Sequence, residues 1–516
     1  MRTLQEEMRL KRESQKQQKG KDDSPSPERS MRLSVWEGSF FGVMSGFTDP
    51  FIVPFALLFN APNIIVSVLT TLPLLLGSVI QLFAPRLLAY LNSRRRYLII
   101  LLSIQATGWL LLPWVAAIPD KKAALYACVL LAVATVSISY AVSSVWLSYM
   151  GDLVPSRRRA RYFSMRNAVI AAVMLVATLA AGLLLKGFTN PYLGFALLFV
   201  VASAARWVSA SCFKRMAELP PRLPKPGTFS LATFFHRAPR SDFGRFVTFT
   251  MLLRFAAYLA APFFVVYQLK VLRLDYLSFT VLQAASIVGS VLALQAWAKV
   301  LDWQGTRRVL VASAVFIGIV PLLYLMSYPG VPFLLLFAFE VFSGVAWSGF
   351  NVATNNYALE ATSQESRPYV LTYNSLLNNS SLFFAGIAGG LLLTAMGGSG
   401  DVAAPFLALF AISGCLRLLV ALGGASRLKE ISFVEVRFGE GAVSSYISIL
   451  PRQGVVVLPS GAEPQEFREE VEHGLEVRKS VEEQLKQLDE GETLVERMSP
   501  EERELYEKKY LEKAKK

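Results

Sequence analysis

The sequence predicts an all-α membrane protein, with twelve transmembrane helices in two pseudo-symmetric six-helix halves and a small cytosolic C-terminal appendage. Three observations carry that prediction. Of 516 residues, 53% are hydrophobic and only 17% charged, too oily a composition for a string of soluble domains. The apolar residues gather in stretches near the roughly 20 residues that a helix needs to cross a bilayer core. Finally, a set of residues from the first half of the chain recurs, in order, in the second.

The spans are expected near 34–59, 63–85, 97–118, 123–150, 164–186, 192–213, 244–268, 276–298, 308–328, 332–357, 369–396 and 402–424. Their orientation follows from Lys and Arg. Alternate loops carry Arg86 and Arg94 to Arg96, then Arg157 to Arg159, Arg161 and Arg166, then the run from Lys214 to Arg245, then Lys299, Arg307, Arg308 and Arg367. The opposite loops hold only Lys121, Lys122, Lys186, Lys270 and Arg273. Basic residues stay on the cytoplasmic side, so both termini are expected there and the chain is expected in the plasma (inner) membrane. The formal net charge of +14 reflects this topology, and nucleic acid is not an expected partner. Residues 1–33 are polar, without the apolar core of a signal peptide, and read as a disordered cytoplasmic tail.

The first half is expected over 34–216 and the second over 244–424, separated by a Pro-rich, basic cytoplasmic loop at 217–243. At an offset of 212, Pro50 and Phe51 recur as Pro262 and Phe263, Gly77 as Gly289, and Arg95 and Arg96 as Arg307 and Arg308. At 207, Tyr162 and Asn167 recur as Tyr369 and Asn374; at 211, Phe195, Phe199 and Arg206 recur as Phe406, Phe410 and Arg417. Near-constant offsets in chain order are the mark of a duplicated six-helix unit.

The tail at 425–516 alternates over 433–438, runs apolar over 455–458, and carries amphipathic spacing through Phe467, Val471, Leu475, Val481, Leu485 and Leu488. Short strands followed by helices are expected there, one helix starting at Ser499 with Pro500 in its first turn.

Two six-helix halves with a basic central loop resemble the major facilitator superfamily of secondary transporters, over residues 34–424. Two loops carry the resemblance locally. The segment after the eighth span keeps Asp302, Gly305, Arg307 and Arg308 of that family's loop motif, whereas its first copy keeps only the basic cluster Arg94 to Arg96, with Tyr90 and Ser93 where Asp and Gly would stand. Residues 151–167 are similar to the family's loop between helices 4 and 5. The resemblance implies alternating access, with a small organic solute bound between the halves, and a cytoplasmic gate at Asp152, Arg161, Arg166, Asp302, Arg307 and Arg308. Proton coupling is the leading expectation. A uniporter, a lipid scramblase and a membrane-anchored sensor working through its C-tail are the alternatives.

Ionisable groups inside a bilayer are costly and mark function or a partner. Asp49 and Arg254 break the repeat, facing Ala261 and Gly42 at the offset of 212, and Glu340 stands alone in the tenth span. Helices 1, 7 and 10 line the cavity in the family resembled, so Asp49, Arg254 and Glu340 are candidate substrate or proton groups, with Asp49 and Arg254 as an ion pair. Asn351 and Asn355 on the tenth span, and Asn374 and Asn378 on one face of the eleventh, are candidate binding groups. Arg206 and Arg417 are expected to snorkel toward the cytoplasmic surface, and Glu37 to be interfacial. The only histidines, His236 and His473, lie outside the spans, and no nucleotide-binding loop is present. No enzyme activity, metal site or cofactor is therefore expected. The expected partners are a small-molecule substrate, the lipid bilayer and protons, with a monomer the default assembly.

Overall fold

The computed structural model describes residues 26–218, 242–360, 367–397, 401–425, 428, 445–450 and 454–459. These fall in two units, 1–431 and 432–516. In the second, an antiparallel hairpin joins β1 (Ser445–Leu450) to β2 (Gly454–Pro459), with Ser445 opposite Pro459 and Leu450 opposite Gly454. The apolar run at 455–458 lies in β2, but its partner is 445–450. The segment 433–438 and the tail helices expected further on lie outside the described residues.

Among its described residues, the first unit contains twelve helices long and apolar enough to cross a membrane. Spans 1 to 6 are Pro27–Leu57, Asn63–Leu91, Arg94–Ala117, Lys121–Leu153, Met165–Gly187 and Pro191–Lys214. Spans 7 to 12 are Phe243–Val271, Tyr276–Leu301, Thr306–Met326, Phe333–Ala358, Tyr373–Met396 and Ala404–Ala425. Local chemistry sets many of the ends. Side chains of Ser93, Asp120, Asn190 and Asp275 accept backbone N–H bonds at the starts of spans 3, 4, 6 and 8. Asn92 closes span 2 in the left-handed region at φ 48°, and Gly305 turns from span 8 into span 9 at φ 83°, where a side chain would be strained.

Two boundaries differ from the sequence reading. Span 1 begins at Pro27 rather than 34, because Ser26 caps it, its hydroxyl accepting from Arg29 N at 3.3 Å with Pro27 in the first turn. Residues 27–33 are thus helix and not tail. The fifth helix begins at Ser156, so most of the arginine-rich stretch after Pro155 is helical and the loop between spans 4 and 5 shrinks to Val154 and Pro155.

Helices pack closely where the repeat places glycine. A Cβ on Gly77 would collide with Tyr140 of span 4, and one on its repeat partner Gly289 with the Val341 carbonyl of span 10. Small residues let membrane helices touch along their backbones, and here they weld spans 2 and 4, and 8 and 10, inside each half.

Between the halves, span 5 packs on span 8 and span 2 on span 11. A Cβ on Gly182 would strike Thr280, and one on Gly386 would strike Thr71. Phe51 meets Phe279 at 6.5 Å between ring centroids, and Phe195 meets Tyr276 at 5.5 Å. Asn379 of span 11 donates to Ser78 Oγ at 2.6 Å and to the Leu74 carbonyl at 3.3 Å in span 2. All these contacts lie in the part of the bundle away from the termini.

The apolar cores follow the same division. One core spans both halves, joining Phe51, Phe55, Val66 and Phe195 to Phe263, Tyr267, Leu282 and Phe410. Toward the termini there are two separate cores, one around Leu88, Tyr97, Tyr149 and Phe213, the other around Phe246, Trp297, Leu310 and Phe350. The halves therefore share one apolar core at the far end and keep separate cores at the end bearing the termini. Exposed Trp36, Tyr90 and Trp303 ring that end, and Trp114, Tyr126 and Tyr328 ring the other, as aromatic side chains do at membrane surfaces.

Candidate functional site

Spans 1 and 7 are both broken. Span 1 stops at Thr48 and resumes at Ile52; span 7 stops at Tyr258 and resumes at Ala261. Pro50 and Pro262 occupy equivalent repeat positions in or beside these breaks, and a proline ring has no N–H to continue the helical ladder. The chain closes the same tight turn in each half, Phe51 N donating to the Thr48 carbonyl and Phe263 N to the Ala260 carbonyl, both at 2.9 Å. Irregular backbone at membrane depth is tolerated where it lines a cavity or is packed in protein. The repeated Pro-Phe pair was visible in the sequence, but not its consequence, because many membrane helices carry proline unbroken.

Asp49 stands at the first break. Its carboxylate accepts from Ser45 Oγ and, at 3.3 Å, from Thr48 Oγ1. Residue 49 is exposed even though its neighbours from Met44 to Thr48 are buried. Tyr140 of span 4 lies within electrostatic reach of both Asp49 and Tyr258.

Arg254 lies one turn before the second break. Its guanidinium sits over the Phe350 ring of span 10 at 5.6 Å, and its Nε is buried with no hydrogen-bond partner. The expected Asp49–Arg254 ion pair is not formed. Each group is held by its own half, Asp49 by hydroxyls and Arg254 by an aromatic face.

Glu340, expected as a substrate or proton group, is bonded within its own half. It accepts from Tyr324 Oη at 2.5 Å and from Gln268 Nε2 at 3.0 Å, tying spans 7, 9 and 10 at their far ends. Asn351 and Asn355 are exposed on span 10, while Thr354 Oγ1 beside them is buried without a partner. On span 11, Asn378 Nδ2 donates to Asn374 Oδ1 at 2.9 Å and keeps a buried Oδ1 unpaired. Asn379, missed by the sequence reading, makes the bond to span 2, so the face facing the other half is one residue round from the one singled out.

The gate candidates divide. Asp152 pairs with Arg94 at 2.8 Å, and Arg94 also donates to the Ser148 carbonyl at 3.0 Å, so this tie joins spans 3 and 4 within one half. Arg166 is buried, pairs with Glu37 at 2.8 Å and lies over the Trp146 ring at 4.3 Å. It belongs to an internal network rather than to a surface latch. Arg307 donates to the Ala425 carbonyl at 3.2 Å, holding the end of span 12, and Arg308 is exposed. The side chains of Arg161 and Asp302 lie outside the described residues.

Arg206 and Arg417 do not snorkel. Each is 2% exposed, packed inside its half. Arg206 donates to Gln105 Oε1 at 2.6 Å and lies 4.0 Å from Glu37, which is itself buried rather than interfacial. Arg417 donates to the carbonyls of Ile317 at 3.0 Å and Ala257 at 2.9 Å and to Ser413 Oγ at 3.0 Å. Gln105, a lone amide in an apolar run, was the available signal: such groups inside a membrane need a partner.

No family profile and no curated protein matches the sequence. Solved structures do match the fold. A D-xylose-proton symporter superposes with a TM-score of 0.62 at 14% identity, over 79% of this chain and 99% of its own. An auto-inhibited POT family peptide transporter gives 0.62 at 12% identity, over 80% and 98%. The nucleoside transporter NupG gives 0.56 at 13% identity, over 78% and 99%. With twelve apolar helices the chain is a multi-pass integral membrane protein. Its two six-helix halves, their paired breaks and these superpositions together show that the chain has the twelve-helix fold of these solved transporters.

Proposed function

We propose that the chain is a secondary active transporter that moves a small organic solute between its two halves by alternating access, coupled to protons through Asp49. The observation that carries this reading is the pair of repeat-related breaks in spans 1 and 7, with one apolar core shared between the halves at one end and a separate core in each half at the other. A breakpoint in each half gives a carrier its solute-facing backbone and its hinge. With the termini cytoplasmic, as the arginine distribution favours, the end with separate cores faces the cytoplasm, which supports reading the conformation as inward-facing. Asp302 and Arg161 are then proposed to latch that end in the opposite state, where the inner ends close.

Asp49 suits a proton carrier because its carboxylate is reached by water in this state and its ligands are hydroxyls, which serve a charged or a neutral acid alike. The solved relatives include one whose own name is a proton symporter, which adds weight to the coupling.

The experiment begins with a thermal-shift screen of purified protein to find a stabilising solute, because binding raises stability whatever the transport direction. Reconstituted protein is then tested for accumulation of that solute under an imposed pH gradient. Asp49→Asn should abolish pH-driven accumulation and keep solute exchange at zero gradient. Full pH-driven uptake by the variant would end the proposed role of Asp49. A chain truncated after Ile431 should keep its flux, and loss of flux in a folded truncation would favour a tail-driven sensor instead.

A further inference from the structure

The charges at membrane depth in the two halves do not balance in the same way. In the first half, Glu37 and Asp49 stand against Arg166 and Arg206; Glu37 touches both arginines, and Arg206 is the cation within electrostatic reach of Asp49. In the second half, Glu340 is occupied by Tyr324 and Gln268, and Arg417 by two carbonyls and a hydroxyl. Arg254 is left over. Among the described residues no carboxylate lies within salt-bridge distance of it, and its Nε is unbonded.

A guanidinium without an anion at membrane depth is costly, and an aromatic face offsets only part of the cost. The cost is sustained where an anion visits. Two more buried polar atoms without partners lie on the helices beside it: Thr354 Oγ1, one turn from Phe350 on the same face of span 10, and Asn378 Oδ1 on span 11. Span 11 reaches span 7 next to Arg254, where Ser381 Oγ donates to the Met251 carbonyl at 3.0 Å. Of these groups the Thr354 hydroxyl and the guanidinium can donate to an anion, whereas Asn378 Oδ1 can only accept, and the guanidinium carries its donors in a planar fork that matches a carboxylate or phosphate.

We propose that Arg254 makes the cavity selective for anions, so that the solute held there carries a carboxylate or a phosphate group. This rests on the transporter reading and sharpens it by naming the substrate class.

The test reads the charge preference of the cavity without needing the solute. In full-length protein with Cys128, Cys212 and Cys415 replaced, Asn355→Cys places a reporter on span 10. Its reaction rates with an anionic sulfonate and a cationic trimethylammonium methanethiosulfonate are compared with those of a free thiol. A single uncompensated charge nearby, in a medium less polar than water, should bias the ratio toward the anionic reagent by about tenfold or more. Arg254→Gln should remove the bias and Arg254→Lys should keep it, which separates a charge effect from a packing effect. A ratio at or below that of the free thiol, or one unchanged in Arg254→Gln, overturns the proposal. If neither reagent reacts, there is no open cavity, and the transporter reading fails with it.

Discussion

The two halves solve one structural problem in two ways. Each buries an arginine from its last helix, Arg206 or Arg417, at equivalent repeat positions. Arg206 is met by the side chain of Gln105, and Arg417 by the backbone carbonyl of Ile317, which occupies the position of Gln105 at the offset of 212. In the first half the arginine joins a chain of charge through Glu37 to Arg166; in the second, the places of Glu37 and Arg166 are taken by Phe249 and Tyr373. The stitch between the last, third and first helices of each half has been kept while its chemistry was exchanged. The first half is held by ions, and the second by dipoles.

That contrast can be broken most directly at Glu37. Glu37→Gln strands two buried arginines with no carboxylate between them and should destabilise the protein by about 3–5 kcal/mol, the usual cost of orphaning one side of a buried pair. Denaturant unfolding in mixed micelles measures it, and a loss under about 1 kcal/mol would mean that the arginines are satisfied without Glu37. Removing Arg166 as well should recover part of the loss. The dipolar stitch should be weaker to cut. Arg417→Met deletes charge-assisted bonds of roughly 1.5–3 kcal/mol, but the carbonyls it leaves keep their helical partners and no charge is stranded. If Arg417→Met costs as much as Glu37→Gln, the distinction between ions and dipoles has no energetic content.

The smallest effect lies at the seam between the halves. Span 2 and span 11 share the Asn379 bonds to Ser78 and Leu74, whereas the repeat partner of Asn379 in span 5 is Ala172, which can make no such bond to span 8. A neutral hydrogen bond is worth about 0.5–1.5 kcal/mol, so Asn379→Ala should shift the balance between states about two- to tenfold away from the present one. Cysteine accessibility at the far end of span 11 reports it. Unchanged accessibility would assign the whole seal to apolar packing.

Much of this was legible beforehand. Hydropathy and repeat offsets locate twelve helices because the bilayer demands length and apolarity and little else. Glu37 was misread for a traceable reason: counted from 34 it is at the surface, but counted from the capped start at Pro27 it lies ten residues in, about 15 Å at 1.5 Å per residue. The cap that moves it, Ser26 followed by Pro27, is the same grammar recognised at Ser499 and Pro500. The partners of Arg417 were hidden more deeply, since a backbone carbonyl leaves no trace in a sequence, whereas Arg206 meets the side chain of Gln105. The Asp49–Arg254 pair failed because pairing across the halves belongs to a conformation, and one sequence serves several.

The shared apolar core at the far end has a thermal consequence. To open there, Phe51 must leave Phe279 and Phe195 must leave Tyr276, wetting aromatic surface, while the ends that close in exchange are rich in arginine. The two conformations therefore expose different amounts of apolar area and differ in heat capacity, so their ratio follows a curve in temperature rather than a straight van't Hoff line. Because apolar association weakens on cooling, chilling loosens the aromatic side first. In the proposed cycle, the balance between the two conformations is, in this sense, a thermometer reading.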